Sequence, residues 1–232
     1  MKAAYVSLVG GAIVLFAIEG HTAWADMITN MSKSTTGFDV ASNDLLEGVV
    51  AAVNNSNYIA AREDVTTTDL AVLTNGEFGP ASVNTTAPLE VVAIANGAIL
   101  TYELDLERCP AGYSIWQIDT YTGWRDTGRD AQQYEVLYSL VSDPTAFYQL
   151  ATVSYNPGSG NPSDTAVSIL MDDGSDLASH VAALRFSFPT TENGFVGYRE
   201  IDVFGVPEPA SLCLLALGVF GLFFRRGRRH GR

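Results

Sequence analysis

Two segments near the end of the chain, HVAALRFSF at residues 180–188 and FVGYREIDVF at residues 195–204, decide the expected fold. Aliphatic and aromatic residues recur in both with the short period of strands, and β-branched and aromatic types are the ones that strands favour. The stretch between them contains Pro189, Asn193 and Gly194, which are residue types typical of turns. The two segments therefore predict a pair of consecutive strands.

The same rhythm extends back along the chain. Asn96 and Gly97 form a hairpin-type dipeptide between two apolar runs. No long amphipathic helix stands out. Many short strands with Gly, Pro and Asp turns predict an all-β fold, either a sandwich or a barrel. The predicted strands cover residues 91–94, 99–106, 114–120, 134–140, 147–155, 180–188 and 195–204.

The order of these segments resembles the galactose-binding-like jelly roll, the fold of discoidin-type domains and family-32 carbohydrate-binding modules. The resemblance covers residues 58–205 and is strongest in YREIDVFG, residues 198–205. Upstream, DLAVLTNGEFG at residues 69–79 sits where that family has a turn. The resemblance implies a jelly-roll β-sandwich. Residues 26–57, rich in Thr, Ser and Asn, then form a flexible leader or a first strand.

The C-terminal segment, VPEPASLCLLALGVFGLFFRRGRRHGR at residues 206–232, has three parts. Two prolines keep the first part extended, which predicts an accessible linker over residues 206–210. The apolar part, residues 210–224, predicts a transmembrane helix that is short for a bilayer core of about 30 Å. The Arg-rich residues 225–232 belong on the cytoplasmic side of the membrane. The alternative, a buried C-terminal helix, does not account for the terminal arginines.

This tripartite order resembles the PEP-CTERM sorting signal of Gram-negative bacteria. The resemblance implies that an exosortase, a membrane enzyme, recognises the Pro-Glu-Pro stretch and removes the helix and the basic tail. It also implies an exported protein that is held transiently in the inner membrane and then reaches the cell surface or extracellular matrix. The matching residues are Val206, Pro207, Glu208, Pro209, Ala210 and Ser211.

The N-terminal 25 residues have the features of a secretory signal peptide. Lys2 precedes an apolar run over residues 3–18, and Ala23-Trp24-Ala25 is a small-x-small cleavage site before Asp26. The alternative is a permanent membrane anchor. If both ends are processed, the mature chain runs from near Asp26 to near Pro207.

The composition excludes some classes of partner. The formal net charge is −13, and five of the arginines lie in the C-terminal tail, so the presumed domain is more acidic still. Such a charge argues against binding to nucleic acid or anionic membranes. Cys109 lies in the presumed domain and Cys213 in the apolar segment, so they are not expected to pair.

The jelly-roll resemblance implies a structural Ca²⁺ ion that ties a turn to the closing strand. Carried over by position, Asn75 and Glu77 supply oxygens from the turn and Glu200 supplies a carboxylate from the strand. The alternative is a plain Asn-Gly turn, with Glu200 paired to Arg199 or Arg185. A second acidic turn, MDDGSD at residues 171–176, does not have EF-hand spacing and is expected to be solvated.

One loop has the residue types of a carbohydrate platform. Aromatic faces stack on sugar rings, and Arg and Asp can bond their hydroxyls. The alternative is structural, with Trp124 covering the edge of the sandwich and Arg129 paired to Asp126. The residues concerned are Tyr121, Trp124, Arg125, Asp126 and Arg129.

Catalysis has little support in this sequence. Between the two terminal signals the chain has a single histidine, His180, which removes His-rich zinc sites and most Ser-His-Asp schemes. We therefore expect a non-catalytic surface or matrix protein that binds or associates with exopolysaccharide. The alternatives are an accessory module of a carbohydrate-active enzyme and a purely structural envelope protein with no small ligand.

Overall fold

The computed structural model describes the backbone of residues 5–9, 12–16 and 59–60, and the full residues 26–56, 69–82, 89–125, 128–158 and 164–209. Two short 3₁₀ turns, Leu70–Thr74 and Glu192–Gly194, are the helical elements of this part of the chain. All other regular structure within it is β-strand. The strands are Tyr5–Val9 (β1), Ala12–Phe16 (β2), Met27–Ser34 (β3), Ala52–Val53 (β4), Ile59–Ala60 (β5), Val92–Ala95 (β6), Ala98–Glu103 (β7), Tyr113–Gly123 (β8), Gln132–Leu140 (β9), Asp143–Tyr155 (β10), Asp164–Met171 (β11), Ala178–Phe188 (β12) and Phe195–Pro207 (β13).

Two separate sheets contain these strands. β1 and β2, within the segment predicted as a signal peptide, pair with each other in a two-stranded antiparallel sheet. The other eleven strands form one antiparallel sheet whose main path is β10-β9-β12-β8-β13-β6-β5. The prediction of an all-β jelly-roll sandwich is confirmed.

β8 is the strand at which the large sheet branches. One of its edges pairs with β13 along nearly its whole length, from Tyr198 opposite Thr122 to Pro207 opposite Tyr113. The other edge is shared between β11, which covers residues 117–123, and β12, which covers residues near Tyr113 and Ile115. A single strand with three partners allows the sheet to fold over its own core.

Within a largely aliphatic core, aromatic side chains from four strands form one cluster. Tyr102, Tyr134, Phe186, Phe188 and Tyr198 are all buried to 1% exposure or less. Their rings meet mostly edge to face, as with Phe188 and Tyr198 at 5.0 Å between centroids and Tyr102 and Phe186 at 5.9 Å. This geometry is the one preferred by aromatic quadrupoles, and the cluster fixes the packing of β7, β9, β12 and β13.

β13 is buried on both faces, which its alternating pattern did not predict. Every residue from Phe195 to Val203 is buried. One face contributes Ile201 and Val203 to the core. The other face meets the leader, whose Ala41 N–H donates to Oδ2 of Asp202 at 2.9 Å. The acidic residues of this covered face are consequently shielded from water.

The leader is part of the sandwich. β3 pairs with β11 along its whole length, from Met27 opposite Met171 to Ser34 opposite Asp164. Of the two expectations for residues 26–57, a flexible leader or a first strand, the structure has the first strand. β3 also places Asp26 beside the acidic turn, where its N–H donates to Oδ1 of Asp172 at 3.0 Å.

Candidate functional site

The described part of the sorting segment continues β13 without a break. Val206 lies opposite Ser114, and Pro207 lies opposite Tyr113. The Glu208 N–H then donates to the carbonyl of Gly112 at 2.9 Å. The backbone is extended, as predicted, and the side chains of Val206, Pro207 and Pro209 are exposed. The backbone of Val206 and Pro207 is nevertheless held, because it pairs with the first residues of β8.

The carboxylate of Glu208 is also held. The Ser114 hydroxyl donates to Oε1 at 2.5 Å, and the His180 backbone N–H donates to the same oxygen at 3.3 Å. The hydrogen bond from Ser114 is the main cause that lowers the pKa of Glu208, because it stabilises the charged form. In contrast, the side chain of Val206 is 54% exposed.

Several predicted features lie outside the described residues. These are Ala210 and Ser211 of the sorting motif, the transmembrane helix at 210–224 and the Arg-rich tail at 225–232. Within the described ranges, no helix has the length and apolar character needed to cross a membrane. The predicted helix and the predicted cleavage of the signal peptide remain predictions.

The residues expected to hold Ca²⁺ come together in part. The Gly76 N–H, in the turn between Asn75 and Glu77, donates to Oε1 of Glu200 at 3.2 Å, so the turn meets the closing strand. Asn75 Oδ1 accepts from the Glu77 N–H at 3.0 Å, which closes the turn on itself. The side chains of Asn75 and Glu77 are exposed, whereas Glu200 is fully buried. Its Oε2 has no hydrogen-bond partner.

The expected ion-pair partners of Glu200 are engaged elsewhere. Arg199 lies 3.6 Å from Asp164, both fully buried, and donates to the carbonyls of Phe78 and Pro80 and to the Ser82 hydroxyl. Arg185 donates to the Thr101 hydroxyl. The alternative in which Glu200 pairs with either arginine is therefore wrong, and Arg199 instead anchors the loop at residues 78–82.

Glu200 belongs to a group of buried carboxyls that sequence analysis missed. Asp202 lies directly opposite Asp119 across β13 and β8, and Asp44 reaches in from the leader. Asp44 Oδ1 accepts from the backbone N–H groups of Leu46 and Val203, and Asp202 Oδ2 accepts from the Ala41 N–H at 2.9 Å. One oxygen of each carboxyl has no hydrogen-bond partner. We call the half-buried Asp44 together with the buried Asp119, Glu200 and Asp202 the buried acidic group.

Burial dominates the electrostatics of this group. It raises the pKa of Glu200 to about 9 and that of Asp202 to about 7, and the neighbouring carboxyls add to both shifts. Burial raises the pKa of Asp44 and Asp119 as well. In the sequence, the signal for this group was the presence of acidic residues within two predicted strands, in WQID at residues 116–119 and REID at residues 199–202. Across the described residues, no three His, Cys, Asp or Glu side chains converge closely enough to hold a metal ion.

The predicted carbohydrate platform is not available in this conformation. Trp124 is 2% exposed and Tyr121 is 8% exposed, so neither ring presents a face to a ligand. Trp124 packs on Phe195 with centroids 5.3 Å apart, and Tyr121 packs between Phe38 and Phe78. The platform interpretation is therefore corrected for these two rings, which have a structural role.

The polar members of that loop have structural contacts too. The guanidinium of Arg129 lies over the Phe195 ring at 4.4 Å, and its backbone N–H donates to Glu192 Oε2 at 2.7 Å. Its φ of +139° is unusual for a residue with a side chain. Arg125 is half-buried, and Asp126 lies outside the described residues, so its predicted pairing with Arg129 stays a prediction. In the second acidic turn, Asp172, Asp173 and Asp176 are exposed, as expected for a solvated turn.

A groove of about 440 Å³ runs along the outer face of β7, β9 and β12 near their ends. Ser139, Ala183 and Glu103 lie side by side across these three strands. Ser139 lines the groove, but its hydroxyl oxygen is fully buried and has no hydrogen-bond partner. Asp105 and Glu107 add two exposed carboxylates to the wall. We call this feature the Ser139 groove.

The comparisons with known proteins identify the C-terminal segment. The family model of the PEP-CTERM protein-sorting motif matches residues 205–229, which confirms the predicted signal. This motif marks an exported protein that is held by its C-terminus before exosortase processing. No curated protein matches the chain.

Solved structures with a similar fold include three bacterial modules. One is a chitosan-binding module of a Paenibacillus sp. IK-5 chitosanase/glucanase, with 13% identity, 70% of this chain and 99% of that chain covered, and a TM-score of 0.41. Another is the family-32 module of Clostridium perfringens NanJ in complex with galactose, with 10% identity, 74% of this chain and 98% of that chain covered, and a TM-score of 0.43. The third is a Streptococcus pneumoniae fucose-binding module, with 11% identity, 72% of this chain and 96% of that chain covered, and a TM-score of 0.43. At these scores the likeness supports no statement about ligand.

Proposed function

We propose that the chain is an exported surface or extracellular-matrix protein of a Gram-negative bacterium that associates with exopolysaccharide and has no catalytic activity. The observation that carries the proposal is the sorting motif at residues 205–229, which directly continues the last strand of a folded β-sandwich. A protein of this design delivers one folded domain to the outside of the cell. Its proposed partners are the exosortase and a polysaccharide.

The Ser139 groove is the surface that we propose for the polysaccharide. Its exposed carboxylates can accept hydrogen bonds from sugar hydroxyls. The acidic wall favours neutral or amino-sugar polymers over polyanionic ones.

The test is binding of the mature protein to polysaccharide isolated from the host matrix. The Glu103→Gln variant keeps the shape of the wall but removes a charge, and it should weaken binding. The matched control is Glu77→Gln, an exposed carboxylate on a distant turn. Equal binding by both variants would remove the groove from the proposal. No binding by the native protein would favour a purely structural envelope protein, and turnover of any glycan in a panel would contradict the non-catalytic proposal.

We further propose a structural Ca²⁺ ion at Glu200. The unpartnered Oε2 of Glu200 supports this, because a buried carboxylate oxygen without a hydrogen-bond donor is a suitable ligand for a hard cation. Because Asn75 Oδ1 already accepts from its own turn, most other ligands would have to be backbone carbonyls. Calcium at millimolar concentration should raise the melting temperature of the native protein and leave that of Glu200→Gln unchanged. Equal responses would refute this site.

A further inference from the structure

The end of the sandwich around Glu208 is a built site. Glu208 forms three hydrogen bonds with the rest of the domain. Its carboxylate accepts from the Ser114 hydroxyl near the start of β8 and from the His180 N–H near the start of β12, and its N–H donates to the carbonyl of Gly112, just before β8. The Cys109 thiol reaches the same position, donating to the Gly112 carbonyl at 2.9 Å and lying 3.7 Å from that of Glu208. Both the peptide unit and the carboxylate of Glu208 are thus bonded.

The backbone that presents these groups is tightly fixed. Gly112 has a φ of +84°, and a Cβ there would lie 2.7 Å from Val141 and 2.8 Å from the backbone of His180. His180 itself has a φ of +56°, which is a sparsely populated region for a residue with a side chain. Such conformations persist where the surrounding packing determines them, and they cluster where a ligand is held. Pro207, next to Glu208, also lines a second groove of about 390 Å³ with Tyr113 and Arg108.

We propose that this end of the sandwich is a binding site for the chain's own Pro-Glu-Pro segment, and that it competes with the sorting enzyme for Glu208. Its ligand is an extended peptide with one carboxylate. The proposal rests on the proposed function, since the competition requires exosortase sorting. An enzyme that recognises the segment can reach the Glu208 carboxylate and its N–H only after they leave Ser114, His180 and Gly112.

Docking also restricts the reach of the segment. While Glu208 is bound, Pro209 alone separates the folded domain from the apolar run that begins at Ala210. Release of residues 206–208 adds three residues, or about 10 Å of extended chain. The domain must therefore open at its last strand before a membrane enzyme can surround the motif. Docking makes the rate of sorting depend on this local opening.

The test is a pulse–chase measurement of precursor lifetime for the full-length chain in its native host. Ser114→Ala removes the hydroxyl that bonds Glu208 and should accelerate processing about tenfold, the factor that corresponds to one hydrogen bond to a charged group. Ser114→Thr, which keeps a hydroxyl, should restore the native rate. Ser187→Ala, at the far end of β12, is the matched control and should leave it unchanged. Equal rates for Ser114→Ala and the native chain would overturn the competition.

A second measurement separates docking from sorting. Hydrogen exchange at the Glu208 N–H, in full-length chain purified in detergent, should be slow in the native protein and in Ser187→Ala but fast in Ser114→Ala. Fast exchange in the native protein would overturn the docking site, whatever the processing rates are. If no variant is processed at all but exchange follows the expected order, the docking site stands and the sorting function fails.

Discussion

The buried acidic group makes the stability of the domain depend on pH in an unusual direction. Most proteins lose stability in acid, because their paired carboxylates must be protonated there. Here Glu200 and Asp202 are fully buried and each has one oxygen without a partner, so the folded chain favours their neutral forms. We therefore predict that, in the presence of a chelator, the free energy of unfolding decreases from pH 5 to pH 8.

The size of the decrease follows from the pKa of Glu200, which burial raises from 4.5 to about 9. The stabilising contribution is fully present below the pKa of the unfolded chain and is lost as the pH rises through about 9. Between pH 5 and pH 8 the folded chain keeps a proton that the unfolded chain has released. The free energy of unfolding then falls by about 1.4 kcal/mol per pH unit, or at most about 4 kcal/mol over this range. Relaxation of the structure and penetration of water around the buried charge reduce the decrease to about 2 kcal/mol. Asp202, with its pKa raised to about 7, acts in the same direction.

The informative variant is Glu200→Gln, which keeps the shape and the acceptor for the Gly76 N–H but has no titratable proton. Urea unfolding followed by tryptophan fluorescence should find this variant about 2 kcal/mol more stable than the native protein at pH 8, and equally stable at pH 5. The matched control is Glu77→Gln, on the same turn but exposed, which should keep the native pH dependence. A native protein whose stability rises from pH 5 to pH 8 in chelator would refute the reasoning.

Three further predictions follow from the packing. Arg199→Ala should lower the free energy of unfolding by about 3–5 kcal/mol, because it leaves the buried Asp164 without its ion-pair partner. The control is Arg185→Ala, which removes a half-buried arginine and should lower the free energy of unfolding by less than about 1 kcal/mol. Urea unfolding measures both variants. Phe186→Ala should cost about 3–5 kcal/mol in the same assay, since the ring is fully buried, and a loss below about 1 kcal/mol would contradict the described core. Trp124→Ala should lower the melting temperature in calorimetry, while Trp124→Phe should retain polysaccharide binding; loss of binding by a fully folded Trp124→Phe would restore the platform interpretation.

The sequence was sufficient for the fold class because strand periodicity is a local property. The runs that became β8, β9, β10, β12 and β13 were identified, with ends displaced by one to a few residues. Thus the predicted strand at residues 99–106 ends at Glu103, because the Asp105 carboxylate accepts from the Arg108 N–H and turns the chain. Alternation could not reveal that the leader covers the second face of β13, since that contact joins residues far apart in sequence.

The sites were harder to predict, because their chemistry depends on burial. Trp124 and Tyr121 have the residue types of a sugar platform, but Gly197 leaves room for the Trp124 ring to pack inward. Asp119 and Asp202 lie opposite each other because β8 pairs with β13, and a local sequence pattern does not reveal that two strands so far apart in the chain are neighbours. The sorting motif was identified correctly as a local pattern, whereas its docking on Ser114 required the three-dimensional arrangement.

The central claim, export followed by sorting at the Pro-Glu-Pro motif, is tested most directly by the intact mass of the protein recovered from the host envelope and culture medium. The account predicts a chain that starts near Asp26 and ends near Pro207, with any attached glycan or lipid as an additional mass. A chain that still contains residues 210–232 would contradict it, because the C-terminal segment would then be a permanent anchor.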